Sequence, residues 1–169
     1  MYTINPLSKK NLLLHIHKIS NIFPELTSTE LVTLMLHSSG LKPPRMGELM
    51  SISKKTINSH IENIRVKFQL DNYEEVKQVF ELRITLNSNP ERYKSLFPEI
   101  NDELYQCMIL VCMGYTIEEI VNREEEKTAE LVRKQIEDLK TTYAVDFLSD
   151  LRVFFMIRLK LDQAKHGCI

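Results

Sequence analysis

The chain repeats itself once. Phe23-Pro24-Glu25-Leu26 returns as Phe97-Pro98-Glu99-Ile100, and Gly40 returns as Gly114, both at a spacing of 74 residues. Ile61-Glu62-Asn63-Ile64 then lines up with Ile136-Glu137-Asp138-Leu139, and Phe80-Glu81-Leu82-Arg83-Ile84 with Phe155-Met156-Ile157-Arg158-Leu159, now at 75. One inserted residue near Lys127 accounts for the slip. Solenoid units run roughly 20–50 residues, so a repeat of this length is a whole small domain. The spacing predicts two tandem domains, each with a core that is marginal alone. The copies therefore pack together or pair with another chain.

Apolar spacing is helical nearly throughout. Leu13, Ile16, Ile19 and Ile22 mark a leading helix with Ser8 as its N-cap. In the first copy Thr27 and Glu30 have the spacing of a capping box, Leu31, Leu34 and Met35 supply an apolar stripe, and Gly40 ends the helix. Pro43-Pro44 open a short helix that runs to Met50. After the turn Ser51-Ile52-Ser53, Ile57, Ile61, Ile64 and Phe68 line one face of a third helix, over 53–68. Its other face shows Lys55, Thr56, Ser59, Glu62, Asn63 and Lys67. Asp71 or Asn72 starts a fourth helix through Val76, Val79 and Phe80. No segment alternates as a strand does, so the expected class is all-α.

Composition narrows the function. A 43% hydrophobic and 27% charged chain is that of an ordinary globular protein. No apolar run approaches the ~20 residues a membrane span needs, and no basic-then-apolar leader opens the sequence. Cys107 and Cys112 sit in an apolar helical run and, with Cys168, form no CxxC pair, which is the pattern of reduced, buried thiols. A cytoplasmic location is expected. His15 and His17 are two residues apart and cannot form a helical metal pair. No phosphate loop, acid–base pair or nucleophile motif is present, so neither an enzyme nor a metal or other cofactor is expected.

The net charge of −1 divides unevenly, +3 over residues 1–86 and −4 over the rest. A basic half joined to an acidic half points to one phosphate-facing copy. Helices joined by a tight turn, the later one capped and polar on its outer face, form the plan of a helix-turn-helix. Its capped start and short polar side chains enter the major groove, and lysines around it hold the phosphates.

From Leu26 to about Leu70 the first copy resembles the DNA-binding domain of the LuxR/FixJ (GerE-like) transcription factors. Leu26-Thr27 with Glu30 is similar to the family's opening L-T-x-x-E. Ile52-Ser53-Lys54-Lys55-Thr56-Ile57, then His60, Ile64 and Lys67-Phe68, follow its i-S-x-K-T-V-x-x-H-x-x-x-I-x-x-K-L signature. Arg45 stands where the family usually has glutamate, and Gly47 where it usually has alanine. The resemblance implies that Asn58, Ser59 and Glu62 read bases, with Asn suited to adenine and Glu to a cytosine amine. By the same resemblance Lys54, Lys55, Thr56, Asn63 and Lys67 touch the backbone of double-stranded DNA. His60 is read as a structural, hydrogen-bonded residue.

The second copy keeps the core pattern in Met108, Leu110, Ile120, Val132, Ile136, Leu139 and Tyr143. It loses the polar surface: the turn becomes Arg123-Glu124-Glu125-Glu126-Lys127, Leu131 replaces Thr56 and Gln135 replaces His60. Three glutamates beside a recognition helix repel a polyanion, so this copy is expected to contact protein.

These readings predict an N-terminal helix over 1–22, a LuxR-like domain over 23–86, a linker over 87–96 and a degenerate LuxR-like domain over 97–169. The expected function is a sequence-specific transcriptional regulator reading the major groove with the helix 53–68. The alternative is an adapter or anti-activator that keeps the fold and binds another regulator or RNA polymerase. The resemblance also implies pairing through the helix after the recognition helix, by Val76, Val79 and Phe80. Leu151, Phe154 and Phe155 stand at the matching positions of the second copy. Either a homodimer or an internal pseudo-dimer follows.

Overall fold

The structure, a computed structural model, describes Leu7 and residues 9–167. The expected cap Ser8 and the third thiol, Cys168, lie outside the described residues. Among those residues every regular element is a helix, as the apolar spacing requires. No helix among the described residues is long and apolar enough to cross a membrane.

The chain divides into two compact units, 1–80 and 81–169. The first opens with two short helices, α1 (Lys9–His15) and α2 (His17–Ser20), where one leading helix over 1–22 is expected. Local side-chain bonds accompany the break: a ring nitrogen of His17 pairs with Leu14 O at 3.0 Å, and Ser20 Oγ donates to His17 O at 3.1 Å, while Ser20 N still donates to Ile16 O at 2.9 Å. Ile16 between them is buried.

α3 (Ser28–Ser38) begins with a complete capping box. Thr27 N donates to Glu30 Oε2 at 2.8 Å and Glu30 N donates to Thr27 Oγ1 at 3.2 Å. Gly40 ends it at φ +92°, a conformation that a Cβ disfavours. α4 (Pro43–Met50) starts on its two prolines. α5 (Lys54–Lys67) packs on both α3 and α4. Ile57, Ile61 and Ile64, together with Phe68 just past the helix, are buried along its inner side, so the 4-3-4 spacing selects the face turned to the scaffold. α6 (Tyr73–Leu86) starts where Asn72 Oδ1 accepts Glu75 N at 3.1 Å, while Glu75 Oε2 accepts Asp71 N at 2.7 Å.

The division between units falls within α6, after Phe80 rather than after residue 86. Leu82 and Leu86 belong to the second core, which explains the shift. The stretch 87–96, expected as a linker, carries regular structure. Pro90–Leu96 forms a 3-10 helix, and Tyr93 and Leu96 pack against the second core.

The second unit continues with α7 (Asp102–Cys112), α8 (Ile117–Arg123), α9 (Ala129–Tyr143) and α10 (Leu148–His166). Asn101 caps α7, a Thr116/Glu119 capping box starts α8, and Thr128 caps α9. Two buried arginines serve the C-terminal end of α7. Arg83 Nε donates to Met113 O at 2.8 Å and Arg152 Nη2 to Val111 O at 3.2 Å, where orphan carbonyls and the helix dipole favour a cation. Cys107 and Cys112 are free and buried in this core. Burial pushes their thiols up, to about 11 and about 12, which keeps them protonated and unreactive.

Candidate nucleic-acid interface

The approach to α5 is set by the turn that precedes it. Ser51 takes a left-handed conformation, φ 57° and ψ 39°, and Ile52 N donates back to Gly47 O at 3.0 Å. This closes the turn so tightly that a Cβ on Gly47 would lie 2.6 Å from Ile52 O. The glycine is therefore a geometric requirement, where sequence reasoning saw only a departure from alanine. Ser53 then caps α5 by accepting Thr56 N at 3.1 Å.

Lys54, Lys55, Asn58, Ser59, Glu62 and Asn63 come together around one open hollow of about 480 Å³ on the outer side of α5. All but the half-buried Glu62 are exposed. Among the described residues no ion pair engages Lys54 or Lys55. Thr56 is exposed beside them, its hydroxyl 2.9 Å from Ser53 Oγ. Ser59 Oγ donates to Lys55 O at 3.1 Å.

Two expected contacts are otherwise engaged. The Lys67 ammonium donates to Glu30 Oε2 at 2.7 Å and to Glu25 O at 3.1 Å, so it ties the end of α5 to the start of α3. Glu62 receives both Arg65 Nη2 at 2.7 Å and Arg65 Nε at 2.9 Å. The Arg65 hydrogen bonds hold the Glu62 carboxyl below the usual carboxylate range. The pair is charge-neutral, so the glutamate does not present a bare negative charge to a polyanion. Arg65 was not singled out in the sequence, although its i, i+3 spacing from Glu62 carries the signal. His60 is half-buried, and its Nδ1 is buried without a hydrogen-bond partner among the described residues, where a hydrogen-bonded role is expected of it.

The expected interface residues are mostly core. Val76, Val79, Leu151 and Phe155 are fully buried, since the apolar face of each helix is the one that packs inward. Phe80 is half-buried and stacks on Phe23 with ring centroids 5.5 Å apart. Phe154 is half-buried between Tyr143, at 4.9 Å, and the Arg158 guanidinium, at 4.3 Å.

The region between α8 and α9 has the opposite electrostatic character. Glu103, Glu124, Glu125, Glu126, Lys127 and Leu131 surround a hollow of about 370 Å³. Lys127 pairs with Glu124 at 2.6 Å, leaving an excess of carboxylates. Gln135, in place of His60, is buried and donates Nε2 to Glu103 Oε1 at 2.6 Å.

Residues 24–80 match the family model for bacterial regulatory proteins of the luxR family. They carry a helix-turn-helix domain of that family, the kind found in DNA-binding transcription regulators. The match spans about a third of the chain. No curated protein and no solved structure matches the chain.

Proposed function

We propose that this chain is a sequence-specific, DNA-binding transcriptional regulator that lays α5 in the major groove of a duplex. The observation that carries this reading is the hollow on α5, with two exposed lysines and three short polar side chains on one side and three buried isoleucines on the other. Lys54 and Lys55 at the capped start of the helix engage phosphates. Asn58, Ser59 and Asn63 face the duplex, with Asn58 and Ser59 nearest the base edges. Lys67 is assigned to the scaffold and not to the DNA backbone.

The second unit is, on this reading, a degenerate copy of the first. Its support lies in matched ring contacts at the repeat spacing. Phe23 lies 6.4 Å from Phe68 and 5.5 Å from Phe80, and Phe97 lies 6.4 Å from Tyr143 and 4.4 Å from Phe155. The carboxylate-lined hollow between α8 and α9 turns this copy away from phosphate and toward a protein partner. That same hollow favours a second reading, in which the chain is an adapter or anti-activator that keeps the fold without binding DNA.

The deciding experiment is binding to randomised duplex DNA across a salt series, for the native chain and for Lys54→Ala/Lys55→Ala. DNA binding predicts affinity that falls steeply with salt, and a slope of log K against log salt reduced by about 2 in the double variant. A folded chain that binds no duplex at low salt overturns the proposal in favour of the adapter.

A further inference from the structure

α4 carries charge of its own at its start. Lys42, its N-cap, and Arg45 are both exposed, while Met46, Leu49 and Met50 are buried against the scaffold. Lys42 makes no ion pair among the described residues. Arg45 Nη1 donates to Glu48 Oε2 at 2.7 Å, which leaves the Nε–Nη2 edge of the guanidinium without a partner among the described residues. A fork of this kind takes a phosphate through two parallel N–H bonds. Backbone amides cannot do the same work here. Pro43 and Pro44 fill the first two helical positions and bring no N–H, so an anion at this helix start meets side chains.

Geometry sets which anion that is. α4 packs on α5, and in a helix-turn-helix the first helix crosses the DNA backbone when the second lies in the major groove. Arg45 stands before Ser51 by 51 − 45 = 6 residues, which places it roughly 9 Å along the helix from the turn, with Lys42 set back further. The major groove is about 12 Å wide, so charges at this distance from the turn reach its edge, where the phosphates run. We infer that Lys42 and Arg45 form a second phosphate clamp, holding the DNA backbone at the groove's edge apart from the phosphates engaged by Lys54 and Lys55. Resting on the reading of α5 as the groove helix, this assignment adds a contact that the family resemblance does not supply, since glutamate, usual at position 45, repels a phosphate. The clamp fixes register and orientation and carries no base preference.

The test is binding of the full chain to a fluorescent pool of randomised duplexes between about 50 and about 200 mM salt. Arg45→Ala, at an exposed helical position where alanine is favourable, keeps its helical circular dichroism. It reduces the slope of log K against log salt by about 1, so over this range its affinity falls about 3.5-fold less than that of the native chain. Lys42→Ala/Arg45→Ala reduces the slope by about 2. Arg45→Glu, which installs the residue usual in the family, binds more weakly than Arg45→Ala. Lys165→Ala removes one exposed charge from the second unit and leaves the slope unchanged. A native chain whose steep salt dependence is shared by Arg45→Ala and Arg45→Glu overturns the clamp and leaves the DNA reading standing. So does a Lys165→Ala slope that falls as much as that of Arg45→Ala, since the effect is then one of net charge. A folded native chain that binds no duplex at low salt overturns both.

Discussion

Lys67 Nζ lies 2.7 Å from Glu30 Oε2, a contact across 37 residues that joins the end of α5 to the capping box of α3. Glu30 is only 5% exposed. Burial alone would raise its carboxyl, but the hydrogen bonds from Lys67 and Thr27 outweigh that and hold it below the usual range. The lysine thus neutralises a charge that the cap needs and the core would otherwise reject.

Replacing Lys67 with methionine keeps most of the aliphatic stem and leaves the Glu30 carboxylate short of its cation. The expected loss is about 1–2 kcal/mol, the usual cost of orphaning one partner of a partly buried polar pair. The urea midpoint of the first unit should fall accordingly. The salt slope of DNA binding should not change, in contrast to Lys55→Ala, because Lys67 holds the scaffold together. A changed slope with an unchanged midpoint would return Lys67 to the phosphate backbone.

Gly47 gives a prediction in which two effects oppose each other. Inside a helix, alanine is worth roughly 0.5–1 kcal/mol over glycine. Here its methyl would meet the Ile52 carbonyl at 2.6 Å, against backbone that also forms the turn into α5. Overpacking typically costs about 1–3 kcal/mol, so the clash wins and Gly47→Ala lowers the thermal midpoint. Because the turn aims α5, the variant should also bind duplex DNA more weakly at temperatures where it remains folded. A variant more stable than the native chain would show that the turn can relax.

What the sequence disclosed, and what it hid, follows from the range of the interactions. The helices, the Thr27/Glu30 box, the Ser53 cap and the inner face of α5 are local patterns, readable from three- and four-residue spacings. Part of the outer face is legible too: Lys55, Ser59, Glu62 and Asn63 are left over once the isoleucines are buried, whereas Lys54 and Asn58, which also line the α5 hollow, come from the resemblance alone. Lys67 could not be placed, because Glu30 is distant in sequence and any surface lysine fits a phosphate. The resemblance places Val76, Val79, Leu151 and Phe155 at an interface, but an apolar stripe does not say which of two partners it meets, and packing buries these four in the core. On α10, the exposed Val153, Ile157 and Leu161 are told apart from the buried Leu151, Phe155 and Leu159 only by packing. The boundary at Phe80 was hidden for a similar reason: α6 is one helix, and only packing assigns Leu82 and Leu86 to the second core.

Glu99 and Arg158 make the second unit acid-sensitive. Both Glu99 carboxylate oxygens accept from the Arg158 guanidinium, at 2.6 and 2.9 Å, and that guanidinium also lies over the Phe97 and Phe154 rings at 5.1 and 4.3 Å. The Arg158 hydrogen bonds depress the carboxyl to about 2 from an ordinary value of 4.5. The folded state therefore binds this proton less readily than the unfolded chain. The stabilisation is fully present above pH ~4.5, and it is lost as the pH falls toward about 2, where the folded carboxyl protonates. Glu99 is partly exposed, so solvent screening makes the contribution smaller than the shift suggests. Glu99→Gln should thus be less stable than the native chain at pH 7, with the difference shrinking between pH ~4.5 and ~2. Urea unfolding at a series of pH values measures this, and a difference that stays constant across that window would show that the pair carries no folding free energy.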